Sequence, residues 1–224
     1  MNTTFFIILA VIMIYDGLLM AWLSWAATSS SLKQYRIRTP KTYQIPALRK
    51  HINTTLNNLM SLGLFLGFLY LFGDTALYSG WPGAAHLLGE SLAVLLLYDF
   101  LYYFYHRGMH HRLVLKYVHR VHHMVRFPTA NESIFLHPLE AVGAIVLLCG
   151  SILIFGPISS WSFLVIFFVY STVNILVHSN LVIPHPAFRL FNFWAKAHDE
   201  HHKSLKYNYS SIFPFWDQAF GTFK

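Results

Sequence analysis

The sequence predicts an all-α protein: a polytopic transmembrane helical bundle of four or five spans with a cytoplasmic helical cap. Hydrophobic residues make up 55% of its 224 residues and charged residues only 11%, whereas soluble domains have roughly 25% charged residues. The mean hydropathy is +0.46. Aromatic residues, which favour membrane interfaces, reach 17%. This composition excludes an ordinary soluble domain.

Apolar segments follow one another along the chain. A span needs roughly 20 apolar residues, and the candidates are 4–27, 56–73, 85–105, 140–156 and 158–177. We interpret the first as a retained transmembrane helix, because it lacks a basic leader and is too long for a signal peptide. Asp16 within it should face another helix or water, since an acid in lipid is costly. The last two spans are separated at Gly156-Pro157, which predicts a tight turn.

The basic residues predict the orientation of these spans. All 16 Lys and Arg lie in three blocks, Lys33 to Lys50, Arg107 to Arg126 and Arg189 to Lys224. With five spans the three blocks fall on one side, which the positive-inside rule makes cytoplasmic. The net charge of +7 is thereby explained without nucleic-acid binding, for which no motif is present. The single Cys149 excludes a disulfide within the chain and a thiolate metal site.

Eight of the 14 histidines fall in three clusters on the same predicted side. The clusters are His106-Arg-Gly-Met-His110, His119-Arg-Val-His122-His123 and His198-Asp-Glu-His201-His202. Positions i, i+3 and i+4 share one helix face, so we expect each cluster to aim its imidazoles at one point. A lone histidine near a span end is usually structural, but three such clusters favour metal binding. Eight imidazoles exceed the four ligands of tetrahedral zinc and indicate two metal ions.

The type of ligand narrows the choice of metal. Neutral nitrogen ligands suit Zn, Cu, Fe and Ni. The HExxH signature of zinc proteases is absent, and so are the Glu-x-x-His pairs of soluble di-iron bundles. A redox-active iron pair held almost wholly by imidazoles fits this ligand set best.

The three clusters match the HxxxH, HxxHH and HxxHH pattern of the fatty acid hydroxylase/sterol desaturase superfamily, and three further segments resemble it. Asp99 to Arg107 is similar to the family's run into its first box. Asn131 to Glu140 resembles the segment after the second box in sterol methyl oxidases, and Phe215 to Thr222 resembles the family's C-terminal ending. We therefore divide one integrated domain into N-terminal transmembrane helices with a basic loop, 1–84, and a catalytic region, 85–224.

The resemblance implies a non-haem di-iron membrane oxygenase. Asn174 stands where fatty acid hydroxylases carry the first histidine of a pair, and His178 is the second. We expect His137 to fill the position that Asn174 leaves open. The ligands carried over by position, with these additions, are His106, His110, His119, His122, His123, His137, His178, His198, His201 and His202. The cofactor is expected to be two iron ions, for which zinc can substitute in purified protein.

Acids are expected to support the histidines, since metal-bound imidazoles usually donate their other N–H to a carboxylate, carbonyl or water. Asp99 lies seven residues before His106, on the same helix face two turns deeper. We select Asp99, Asn174 and Asp199 as candidate catalytic residues. Glu132, Glu200 and Asp217 are weaker candidates. The remaining histidines His51, His86, His111 and His185 are expected to be interfacial, exposed or in loops.

The implied reaction uses O2 and two electrons to hydroxylate or desaturate a C–H bond of a lipid substrate. Fatty acyl lipids, sterols and carotenoids are all open at this point. No flavin or nicotinamide fingerprint is present, so we expect a separate electron donor, a ferredoxin or b-type cytochrome with its reductase. The alternatives are a membrane metal transporter, which would carry ligands near the midplane, and a zinc-dependent membrane hydrolase. The short length suggests a bacterial inner membrane.

Overall fold

The computed structural model of the protein describes residues 1–39, 45–125 and 127–224. Lys41 and Arg126 of the predicted basic blocks therefore lie outside the described residues. Five helices in the described chain are long and apolar enough to cross a membrane. They are α1 (Thr3–Thr28), α2 (Ala47–Ala76), α3 (Ala84–Met109), α6 (Pro138–Phe155) and α7 (Ser160–Val177). The predicted all-α, polytopic class is confirmed, with five candidate spans.

Local sequence sets the ends of these helices. The Asn2 side chain accepts a hydrogen bond from the Phe5 amide and caps α1. Ser159 caps α7 in the same way, and α6 ends at Phe155, so the predicted break at Gly156-Pro157 is confirmed. Helix α2 is longer than its predicted span of 56–73, because its first two turns are polar and carry no hydropathy signal.

Helix packing places α3 at the centre of the bundle. Helix α3 packs against α6 and α7, while α1 packs mainly on α7 and α2 mainly on α6. The Thr172 hydroxyl of α7 donates to Asp16 of α1 (3.3 Å), so this acid faces another helix, as predicted. A two-residue parallel pair joins β1 (Leu77–Tyr78) to β2 (Ile158–Ser159). This pair ties the bundle where α2 ends and α7 begins.

Short helices form a cap at the other end of the bundle. They are α4 (Arg112–Val114), a π-helix (Leu115–His119), α5 (Arg120–His123), α8 (Arg189–Ser204) and α9 (Phe215–Ala219). Helix α8 packs against α7, and the π-helix packs near α3 and α6. The cap thus gathers around the last turns of α3 and α7 and the first turn of α6, where the histidine clusters lie.

Candidate metal centre

Nine of the ten histidines predicted as ligands converge in two adjacent groups. Within each group, the candidate ligand atoms all lie within 4.8 Å of one another. The five-histidine group contains His106, His110, His119, His123 and His201, and the four-histidine group contains His122, His178, His198 and His202. The two groups touch, since the rings of His123 and His202 have centroids 4.6 Å apart.

The expectation that each cluster aims at one point is wrong for two of the three clusters. His119 and His123 join the five-histidine group, but His122 joins the four-histidine group. In the third cluster, His198 and His202 join the four-histidine group, but His201 joins the five-histidine group. Residues i and i+4 differ by only about 40° around a helix, whereas consecutive residues differ by about 100°. Each i, i+4 pair therefore stays together, and the third histidine of the cluster turns toward the other group.

The ligand atoms that meet are all Nε2 nitrogens. In the five-histidine group, His119 Nε2 lies 3.2 Å from His106, 3.0 Å from His110 and 2.9 Å from His123. His110 and His201 are separated by 3.2 Å. In the four-histidine group the spacings are 3.2 Å for His122–His178, 2.9 Å for His178–His198, 3.1 Å for His122–His202 and 3.0 Å for His198–His202.

The opposite ring nitrogens fix the tautomers of several rings. His106 Nδ1 donates to the Tyr209 carbonyl (2.8 Å) and His201 Nδ1 to the Tyr207 carbonyl (2.8 Å). Carbonyl oxygens only accept hydrogen bonds, so in these neutral rings the proton is on Nδ1 and a lone pair remains on Nε2. The tautomer needed for metal binding is therefore already selected by the fold.

The same reasoning applies to the four-histidine group. His122 Nδ1 donates to the Phe135 carbonyl (3.3 Å), and His178 Nδ1 donates to the Asn174 carbonyl (2.8 Å). Burial lowers the pKa of His122 to about 4 and that of His178 to about 3. Both rings are thus neutral near pH 7, and two Nε2 lone pairs face each other at 3.2 Å with no proton between them. A cation between the rings resolves this repulsion.

The spacings also fit a metal ion. A metal–nitrogen distance of about 2.1 Å puts two nitrogens about 3.0 Å apart at a right angle and about 3.4 Å apart at a tetrahedral angle. The observed range of 2.9–3.2 Å is close to these values. The nitrogens of either group are therefore near enough to one another to bind one metal ion.

Among the residues that the structure describes, Glu140 is the one acid that forms a hydrogen bond with a converging histidine, and the sequence predicted no role for it. His119 Nδ1 donates to Glu140 Oε1 (2.9 Å), and both side chains are almost fully buried. The carboxylate orients His119, the ring that touches three others in its group. A signal existed in the sequence, because Glu140 opens an otherwise apolar span. An acid in the first turn of a helix, however, is ordinary.

In the part of the chain that the structure describes, Asp99 forms no hydrogen bond with a histidine, so the expectation that it supports a ligand directly is wrong. Its buried carboxylate accepts three backbone N–H groups, from Ser211 and Ile212 at Oδ1 (2.8 and 2.9 Å) and from Phe213 at Oδ2 (2.8 Å). It therefore anchors the segment that follows α8. Because Tyr207 and Tyr209 in this stretch accept from His201 and His106, Asp99 supports these ligands only indirectly.

The other predicted catalytic residues have different surroundings. Asp199 forms an ion pair with Arg38 (2.8 Å) and belongs to neither histidine group, so it ties α8 to the chain before α2. Asn174 lines the cavities beside the metal centre. Asp217, a weaker candidate, accepts from the Tyr209 and Ser210 amides (both 2.8 Å) and so orders the same segment as Asp99.

His137 lies outside both groups, so the structure does not place it in the open ligand position. It is the N-cap of α6, and its Nδ1 accepts from the Leu139 amide (3.2 Å). The chain must turn into α6 here, which directs this ring to the helix start. His111 and His185 likewise sit at helix starts and are exposed.

Two neighbouring cavities lie at the metal centre and within the bundle. A pocket of about 50 Å³ is bordered by His106, His122, His178 and His198. A larger cavity of about 380 Å³ lies among α1, α2, α6 and α7, with walls that include Leu9, Phe65 and Phe163. Asn174 and Ser133 border both spaces. The larger cavity therefore lies next to the pocket at the histidines.

Comparison with known proteins identifies one matching family and several relatives. The model of the family described as fatty acid hydroxylase matches residues 91–222, a region that holds all nine converging histidines. Methylsterol monooxygenase 1 of Danio rerio is 33% identical over 148 residues, covering 63% of this chain and 48% of that protein. The Rattus norvegicus protein of the same name is 29% identical over 202 residues, with coverages of 85% and 67%.

Lathosterol oxidase of Rattus norvegicus is 31% identical over 170 residues, which cover 73% of this chain and 55% of that protein. The chain thus spans about half to two thirds of the length of the curated relatives it matches. No solved structure matches it significantly.

Proposed function

The chain belongs to the fatty acid hydroxylase family, and we propose that it is a membrane oxidoreductase that oxidises a C–H bond of a lipid. Hydroxylation would combine the lipid, O2, two electrons and two protons to give the hydroxylated lipid and water. Desaturation would use the same inputs, remove two hydrogens from the lipid and release two waters. The observation that carries the proposal is the convergence of nine Nε2 atoms in two groups.

Iron is the metal that this site suits best. The five-histidine group would hold one ion and the four-histidine group the other. Neutral imidazoles suit iron, and five of them exceed the four ligands of tetrahedral zinc. When bound and reduced, an iron pair supplies the O2 chemistry that breaks an unactivated C–H bond. The protein orients the ligands through Glu140 and the carbonyls of residues 135, 174, 207 and 209.

The substrate is proposed to be a lipid that approaches through the large cavity. Its walls are mostly apolar, and Met13 and Leu59 at its border are 39% and 61% exposed on the outer face of the bundle. That face is the one that five apolar spans would present to lipid. The names of the relatives refer to sterols, which favours a sterol-like lipid over a fatty acyl lipid here.

Electrons are proposed to come from a separate protein that docks on a basic surface. This basic surface comprises the exposed side chains Arg107, Arg112, Lys116 and Arg120. Residues 100–131 contain no Asp or Glu, so nothing within this stretch neutralises these charges. Arg107 and Arg120 are chain neighbours of His106 and His119, which gives a donor a short path to the five-histidine group. An acidic ferredoxin or b-type cytochrome fits, and the surface would then be cytoplasmic.

The proposal is tested by removing one ligand from each group. We expect His122→Ala and His201→Ala each to lose about one of the two irons per chain and all lipid oxidation. His185→Ala changes a histidine outside both groups and serves as the matched control. Iron is counted by elemental analysis and products by mass spectrometry of lipid extracts. Full activity in either ligand variant would contradict the proposal that these histidines bind the catalytic metals. Activity that is independent of O2, with zinc bound, would favour a membrane hydrolase.

A further inference from the structure

A seam runs between α1 and α2. Helix α1 packs mainly on α7 and α2 mainly on α6, so the facing sides of α1 and α2 border open space. The residues of α1 on this side recur every three or four positions and therefore share one helix face. They are Leu9, Met13, Gly17, Met20, Ser24 and Thr28. The seam is thus roughly 28 Å long, close to the roughly 30 Å of the hydrocarbon core of a bilayer.

Two spaces of different character lie along this seam. One is the large cavity, where Phe65 and Leu69 give the α2 wall an apolar character. The other has a volume of about 850 Å³ and lies between 20–28 of α1 and 50–58 of α2, and we call it the α1–α2 groove. Its walls carry polar side chains such as Thr28 and Thr54. An apolar chamber beside a polar groove matches the two parts of a membrane lipid.

Polar contacts build the floor of the α1–α2 groove from residues 129–134. The Asn131 amide donates to the Ser24 hydroxyl of α1 (2.7 Å), and Lys50 of α2 forms an ion pair with Glu132 (2.7 Å). Both helices are therefore held to the same floor. The groove between them is a built feature of the fold rather than a gap left by loose packing.

The α1–α2 groove lies at the level where the membrane meets water. Trp25 borders it and is 57% exposed, and tryptophan is enriched at the level of the lipid headgroups. Lys50 and the exposed His51, in the polar first turns of α2, border it as well. The groove therefore faces the headgroups of the leaflet beside the cap, whereas the large cavity faces hydrocarbon.

The two spaces share the side chains of Met20, Asn58 and Ile134 as a common wall. Met20 is partly buried, and its sulfur contacts the Ser133 hydroxyl at 3.9 Å. A methionine side chain is unbranched and adapts its shape readily. It can therefore move aside while the polar contacts of the floor stay in place.

From this arrangement we propose that the lipid enters the large cavity through the α1–α2 groove, and that Met20 is the side chain that must move to admit it. The hydrocarbon part leads into the cavity, and the polar head stays in the groove at the level of the headgroups. The proposal rests on the proposed function and adds the route of entry and the residue that controls it.

Photocrosslinking from inside the large cavity tests this route. Phe167 borders the cavity but not the groove, and Phe167→benzoylphenylalanine places a photoreactive group there. The iron-loaded protein, in nanodiscs of lipids from its own membranes, is mixed without O2 with vesicles of the same lipids from cells grown in deuterated medium. Samples are illuminated after increasing times. The mass of the captured lipid then gives the rate at which deuterated lipid enters.

Variants of α1 assign the entry to Met20. Met20→Trp should slow the capture of deuterated lipid about 10-fold, because a larger side chain overfills the common wall, and Met20→Ala should speed it. Leu18→Trp is the matched control, since Leu18 is 67% exposed on the same helix and borders neither space in the described chain. It should keep the rate of the wild type. Iron content should not change, because α1 contains no histidine.

Three outcomes would overturn the proposal. They are no lipid captured from position 167 without further substitution, an unchanged rate in Met20→Trp, and equal slowing in Leu18→Trp. Thr54→Trp, which fills the groove from α2, should also slow entry, so the test does not depend on the folding of one variant. The proposed function fails separately, by the absence of iron or of O2-dependent lipid oxidation in the wild type, neither of which alters the rate of entry.

Discussion

Replacement of Asp99 by alanine should damage the metal centre from a distance. Asp99 lies in α3 and is fully buried, and its carboxylate accepts the amides of Ser211, Ile212 and Phe213. The nearby carbonyls of Tyr207 and Tyr209 orient His201 and His106. Both rings belong to the five-histidine group, so the substitution should weaken that group in particular.

The size of the effect follows from the three lost hydrogen bonds. A buried donor without a partner costs about 1–3 kcal/mol, and some relaxation of the segment is expected. We therefore expect Asp99→Ala to lower stability by about 3–5 kcal/mol, a large share of the roughly 5–15 kcal/mol of a typical protein. Asp99→Asn should cost less, because its remaining oxygen still accepts the Ser211 and Ile212 amides and only Phe213 loses its acceptor.

Thermal unfolding and iron content, measured on the same detergent-purified samples, check this prediction. Glu90→Ala is the control, since Glu90 accepts from Ser159 and Ser162 and lies about 24 Å along α3 from His106. It should lower stability without loss of iron. Two irons and wild-type stability in Asp99→Ala, or an equal loss of iron in Glu90→Ala, would contradict this expectation.

Three further predictions concern other parts of the molecule. His137→Ala should retain two irons by elemental analysis and lose about 1 kcal/mol of stability as a helix cap; loss of one iron would show that it is a ligand. Burial lowers the pKa of His122 and His178 from 6.5 to about 4 and about 3, so the unfolded state takes up more protons below pH 6.5. The free energy of unfolding of the metal-free protein should have its full value above pH 6.5 and be lower by about 2 kcal/mol per histidine at pH 5, measured by denaturant titration. A free energy of unfolding that does not change with pH would contradict this. Charge reversal at Arg112, Lys116 and Arg120 should slow turnover driven by a protein electron donor at least 10-fold at low salt but leave turnover with dithionite unchanged. Charge reversal at Arg189 and Lys196, the control, should change neither rate. Equal loss of turnover with both reductants would contradict donor docking.

The five spans could be predicted from the sequence because amino-acid composition alone indicates them. Stretches of apolar residues of the right length predict helices whatever their neighbours are. The polar start of α2 and the π-helix that ends at His119 carry no such signal. The start of α2 lies against the segment before α6 through Asn53 and Asn57, a tertiary contact that composition does not reveal.

The candidate site was predictable as a set of residues but not as an arrangement. Histidine spacing predicted eight of the nine residues that converge, and the family resemblance added His178. The spacing could not show that His122 and His201 turn away from their cluster neighbours. That division depends on how the cap helices face each other. The contacts of Glu140 and Asp99 were hidden for the same reason, since each joins segments between 21 and 114 positions apart in the chain.

The most direct test supplies heavy-isotope O2 to the reduced, iron-loaded protein together with lipids extracted from its own membranes. We expect one lipid to gain a single heavy oxygen atom or to lose two hydrogens, detected by mass spectrometry, and we expect neither change with His201→Ala. Conversion of a lipid in the absence of O2, or no change in any lipid while two irons are bound, would contradict it.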